Sequence, residues 1–116
     1  GKLGCHDGSY LGKDRTETLA IKAALGGASK RVAVPAIKGA IGHPIGASGA
    51  IAAACAALAV RDRRVPRTLN LESRDPECDL DHVTHGSQDT LSGPVMVNAS
   101  GLGGLNASLV VGPLEA

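Results

Sequence analysis

Residues 37–51 read IKGAIGHPIGASGAI, and the reading of this stretch decides the rest. Lys38 and His43 stand five residues apart among Gly39, Gly42, Gly46 and Gly49, with a run of small apolar residues behind them. No charge interrupts Ala47 to Val60, so a helix there has no polar face and is expected to be buried. Its small side chains permit a close neighbour, and Arg61 and Arg63 suit its C-terminal end. The glycine-rich lead-in then joins a strand to a helix N-terminus, where free N–H groups and the positive end of the dipole favour negative charge. An imidazole and an ammonium held there can stabilise an oxyanion. The same residues also read as a tight turn whose glycines serve packing, and the residues alone leave both readings open. No Walker lysine follows the glycines, and the dinucleotide pattern is absent.

Working outward, GKLGCHDGSYLGKD at the start is loop-like, and Asp14 or Thr16 is expected to cap a helix from about Glu17 to Leu25, ended by Gly26 and Gly27. RVAVPAI, residues 31–37, predicts a short strand, with Pro35 placing it at an edge or making its far end irregular. Residues 63–83 carry Pro, Asn and Asp at turn intervals and read as irregular chain around one short strand. PVMVNAS and NASLVVG are two strands joined by the glycine-rich GLGGL, residues 101–105. Helix and strand alternating before a strand pair is an α/β layer pattern with few strands for a complete sheet.

The composition bounds the function. The 116 residues include no Phe or Trp, one Tyr (Tyr10) and one Met (Met96), so the core must be built from Ala, Val, Leu and Ile. Such a core is thin for its length, and part of the apolar surface is expected to be covered by something else. A net charge of +1 argues against nucleic acid or an anionic membrane as the main partner. Arg61, Arg63, Arg64 and Arg67 could receive one phosphate-bearing partner, but such a run more often reads as a solvated helix end. The run Ala47 to Val60 is read as too short for a bilayer, which needs about 20 residues. An odd number of cysteines, three, with no secretory signal predicts reduced thiols and a cytoplasmic setting. The acceptor-like triplets at Asn98 and Asn106 look buried. Cys78, His82 and His85, with Asp79 and Asp81 between, lack an evident fourth zinc ligand and read as solvated loop. Cys5 beside His6 is no dyad, since neighbouring side chains of extended chain point apart; His6 with Lys38, His43 and an orienting carboxylate is the more plausible ensemble.

Taken together, DRTETLAIKAALG (14–26), VPAIKGAIGHPIGASGAIAA (34–53), VPRTLNLESRDPECDLDHV (65–83) and GLGGLNASLVV (101–111) resemble the C-terminal part of the β-ketoacyl-ACP synthases, the elongating condensing enzymes of fatty acid and polyketide synthesis. The likeness runs from His6 to Val111. It implies the C-terminal part of a thiolase-like α/β layered sandwich, one partial domain over residues 1–116 that is incomplete on its own, with helix 47–60 between sheet layers. By that resemblance His6 and His43 bind the malonyl thioester carbonyl, Lys38 tunes them, and Glu17 and Asp14 stand at the nearby acidic positions. Ser100, Leu102, Gly103 and Gly104 form the closing turn against the substrate, Ser100 and Leu102 at the places of two gating phenylalanines. Gly8 and Tyr10 stand where the family has threonines. Neither Cys55 nor Cys78 matches the nucleophile, so the resemblance implies an acyltransferase inactive alone. Its partners would be an acyl carrier protein and a cysteine-bearing chain or missing N-terminal half, with no cofactor or metal. The other functions left open are a non-catalytic subunit akin to a chain-length factor and a remnant with no activity.

Overall fold

The computed structural model describes residues 2–4, 13–84, 88–89 and 93–114. In chain order the elements are β1 (Lys2–Gly4), α1 (Lys13–Leu25), α2 (Lys38–Ile41), α3 (Ser48–Asp62), β2 (Arg64–Val65), β3 (Gln88–Asp89), β4 (Val95–Ser100) and β5 (Asn106–Val111). Single 3-10 segments, Gly26–Arg31 and Ile45–Ala47, extend α1 and lead into α3.

β4 and β5 form the antiparallel pair expected, with Val95 opposite Val111 and Ser100 opposite Asn106, and β1 joins β4 in parallel. β4 alternates in the manner of a strand covered on both faces. Val95 and Val97 are buried with Ala56 and Ala59 of α3, while Met96 packs on the other side with Ile21 of α1, Val32, Val34 and Leu80. A helix thus lies on each face of β4, an α/β layering in which α3 covers one face of the sheet and α1 the other. β2 and β3 make a separate antiparallel pair.

Several expectations are corrected. α1 begins at Lys13 rather than Glu17, so Asp14 lies in its first turn instead of capping it; nothing between Lys13 and Glu17 breaks a helix, and a carboxylate in the first turn suits the dipole. The strand expected at residues 31–37 is not a full ladder. Arg31 ends the 3-10 segment, and residues 32–36 are extended and buried with a single parallel bridge, Ala33 to Asp81. Val34 N–H donates to the Asp81 carbonyl at 2.7 Å, but Pro35 has no N–H to continue the pairing, and the next amide, of Ala36, turns to the Thr68 hydroxyl at 3.0 Å. α3 was expected to be buried all round. Only Ala56 and Ala59 are buried, and Leu58 on the open side is 48% exposed. With its 3-10 lead-in, Ile45–Asp62 is long and apolar enough to cross a membrane by length and composition, contrary to the shorter reading; in the fold its covered face meets β4 and β5. Asn98 is half-buried and Asn106 exposed, since β5 is an edge strand. Cys78 is buried and His82 half-buried rather than solvated, because the chain from 77 to 83 packs between α1 and residues 32–36. The arginines at the end of α3 are exposed as expected, with Arg61 paired to Asp62 at 2.6 Å.

Candidate active site

Lys38 opens α2, and the position of that turn is set from residues 68–83. The Thr68 hydroxyl accepts the Ala36 N–H and donates to the His82 carbonyl at 2.5 Å, while the Thr68 N–H donates to the Val83 carbonyl at 2.8 Å. Asn70, whose φ is +62°, donates its side-chain amide to the Gly39 carbonyl at 2.7 Å. The chains approach so closely that a Cβ on Gly39 would lie 2.5 Å from the Leu69 carbonyl oxygen. Lys38 is therefore fixed on both sides.

After α2 the chain reverses at Gly42, with φ +77°, and reaches His43. The imidazole is exposed, and its Nδ1 receives the Ile45 N–H at 3.1 Å, with Ser48 Oγ at 3.2 Å. A backbone amide can only donate. Nδ1 is then the unprotonated nitrogen of a neutral ring, which leaves the proton on Nε2 as a donor.

Two clefts flank β4. One is apolar and lined by Lys38, Ile41, Pro44, Ser48 and Cys55. The other, about 760 Å³, runs between α1 and the hairpin turn, lined by Glu17, Ile21, Ser100, Leu102 and Gly103. Asn98 and Ala99 are common to both walls. The structure thus places Lys38 beside the residues flanking His43, and Glu17 with Ser100, Leu102 and Gly103. The Lys38 ammonium and one Glu17 carboxylate oxygen are buried. Asp14 is exposed and lines neither cleft; Gly104 does not line them either, but with Gly103 it makes the turn at φ of +80° and +85°. Leu102, 90% exposed, sits at its tip. His6, Cys5, Gly8, Tyr10 and His85 lie outside the described residues.

Neither described cysteine is set up as a nucleophile. Burial pushes the Cys78 thiol up, opposed by a hydrogen bond from the Thr18 hydroxyl and reinforced by nearby carboxylates, and a thiol kept protonated is inert. Cys55 is half-buried inside α3. Among the described residues no three His, Cys, Asp or Glu side chains gather as a metal site, and His82 Nε2 is bonded to the Cys78 carbonyl at 2.9 Å. Sequence reasoning missed Ser48, Thr68 and Asn70 as site-forming residues. For Asn70 a signal existed, since asparagine tolerates the left-handed region; for Ser48 there was none.

A helix on each face of a short sheet, with a lysine and histidine loop leading into a small-residue helix, is the arrangement of the C-terminal part of a ketosynthase. The family described as beta-ketoacyl synthase, C-terminal domain, matches residues 2–72, and the chain belongs to it. It is 41% identical over 107 residues to 3-oxoacyl-[acyl-carrier-protein] synthase 2 of Synechocystis sp., covering 92% of this chain and 26% of that protein. Its identity to the enzyme of the same name from Staphylococcus aureus is 40% over 114 residues, 98% of this chain and 28% of the other. Among solved structures, a type II PKS ketosynthase bound to the hexaketide, in complex with its acyl-carrier protein, superposes with a TM-score of 0.93 at 25% identity. The ishigamide ketosynthase/chain length factor does so with 0.91 at 31%. Each comparison covers 98% of this chain and 28% of the other. The chain spans about a quarter of the length of the curated relatives it matches.

Proposed function

We propose that this chain supplies the histidine and lysine end of a β-ketoacyl-ACP synthase active site, which performs decarboxylative Claisen condensation of acyl and malonyl thioesters. The observation that carries the reading is the Ile45 N–H on His43 Nδ1, which makes Nε2 the donor. In the reaction the bond from the malonyl α-carbon to its carboxylate breaks, CO2 leaves, and the electron pair passes onto the thioester oxygen as an enolate. His43 Nε2–H and His6 donate to that oxygen where charge develops. The α-carbon then attacks an acyl thioester carried on a cysteine of the assembled synthase, a carbon–carbon bond forms, and the thiolate is released. By the family resemblance Lys38 tunes the two histidines, with Glu17 and Asp14 at the acidic positions. The closing turn, Ser100 and Leu102 to Gly104, borders the acyl chain. The partners are an acyl carrier protein and the cysteine-bearing remainder of the synthase.

The likeness to a ketosynthase/chain length factor, together with the open face of α3, supports a second reading as a subunit that shapes an acyl tunnel without donating to the substrate. Decarboxylation of malonyl carrier protein by the assembled synthase separates the two. His43→Ala is expected to lower kcat by about a hundredfold to a thousandfold with little change in KM, because the donor acts mainly in the transition state. Equal rates for wild type and variant would move the assignment to the structural subunit.

A further inference from the structure

Two groups converge on one nitrogen of His43. Ile45 N–H reaches Nδ1 from inside the turn at 3.1 Å, and Ser48 Oγ lies 3.2 Å from it on the first residue of α3. We propose that Ser48 is a positioning residue for His43, holding the ring so that Nε2–H is presented to the developing enolate. The proposal rests on the reading of His43 as a donor given above.

The two contacts are unequal. Ile45 belongs to a turn with φ +48°, a region that a β-branched residue rarely adopts, and its side chain is 80% exposed. The Ile45 bond therefore comes from an exposed turn. Ser48 stands on a helix anchored by Ala56 and Ala59 against Val95 and Val97 of β4, and is half-buried. Its hydroxyl holds Nδ1 from the rigid side. It also bears on the tautomer. Unprotonated Nδ1 has one in-plane lone pair; the amide can only donate to it, and a hydroxyl can turn to do the same. The amide thereby selects the ring with its proton on Nε2, and the hydroxyl, donating to the same nitrogen, steadies that tautomer. Ser48 also lines the cleft that contains Lys38, so it approaches His43 from the side of the site. Alanine at position 48 preserves a good helix former and removes only Oγ.

The assembled synthase, labelled with 15N-histidine, is compared as wild type, Ser48→Ala, Ser48→Thr and His43→Ala, the last to assign the His43 signals. In Ser48→Ala the His43 nitrogen resonances are expected to move toward a mixture of the two neutral tautomers. The kcat for malonyl carrier protein decarboxylation should fall about fivefold, the worth of one hydrogen bond, at unchanged KM, with Ser48→Thr restoring both. Unchanged nitrogen shifts in Ser48→Ala would overturn the proposal, as would a kcat loss that threonine fails to rescue, which would mark a packing effect. If His43→Ala retains full rate, the functional reading fails; the role of Ser48 in catalysis falls with it, and the nitrogen spectra still decide whether the hydroxyl sets the tautomer.

Discussion

A methyl group on Gly39 would stand 2.5 Å from the Leu69 carbonyl oxygen. The obstruction is backbone, so no side chain can swing aside. Gly39→Ala must therefore push residues 38–39 away from 69–70 and stretch the Asn70 bond to the Gly39 carbonyl. An overpacked site of this kind costs about 1–3 kcal/mol, to be read as a lower denaturant midpoint of the assembled synthase. A midpoint equal to wild type would mean that the close approach does not persist in solution. Ile45 shows the converse economy at one residue. Holding it at positive φ costs about 1–2 kcal/mol, and its exposed side chain recovers little by burial. What the conformation achieves is the direction of its N–H, which points at His43.

At the scale of elements, α1 is tied to the chain at 77–79 along one helical face: Arg15 pairs with Glu77 at 2.9 Å, Lys22 binds Asp79, and Thr18 between them is buried. Spacings of three and four residues put these side chains on one side of the helix, and the same helix carries Glu17. The Lys22 hydrogen bond, helped by backbone N–H, holds the Asp79 carboxyl below the usual carboxylate range. Because the folded group is the stronger acid, the unfolded chain takes up its proton first as the pH falls. The contribution is whole above the ordinary aspartate value of about 3.9 and is lost as the pH drops through the depressed folded value. In the assembled synthase, denaturant midpoints of wild type and Asp79→Asn should differ slightly at neutral pH and converge in acid, with both groups exposed enough for salt to shrink the gap. A gap that stays constant with pH would refute the assignment. These ties also explain what the sequence concealed. β4, β5 and α3 were legible because period and composition are local properties, and the lysine and histidine loop because its glycines lie in register with that helix. The interrupted strand at 32–36 and the buried Cys78 were not, since each depends on partners more than forty positions away, at Asp81 and Thr18. The expected cap of α1 failed for a different reason, as nothing in Lys13 to Thr16 opposes a helix that starts early.

The molecule as a whole leaves much apolar surface open. Leu109 and Val110 project to opposite faces of the edge strand β5, and each is at least half exposed; Leu102 and Leu105 stand out at the turn, and one side of α3 is uncovered. Paired edges and covered faces are what keep such strands from associating. The 116 residues expressed alone should sediment at micromolar concentration as oligomers or larger species, and Val110→Lys should reduce that association. A monomer with a cooperative unfolding transition would contradict this. The bonds that seat Lys38 span 32, 14 and 31 residues of chain. In ribosomal time, at about 5–20 residues per second, the carbonyl of His82 is made seconds after Lys38, 44 positions earlier (82 − 38). The loop at His43 is therefore synthesised, and waits, before the chain that will hold its lysine exists. Contacts of this range place the site among the late events of folding, after the local helices have formed.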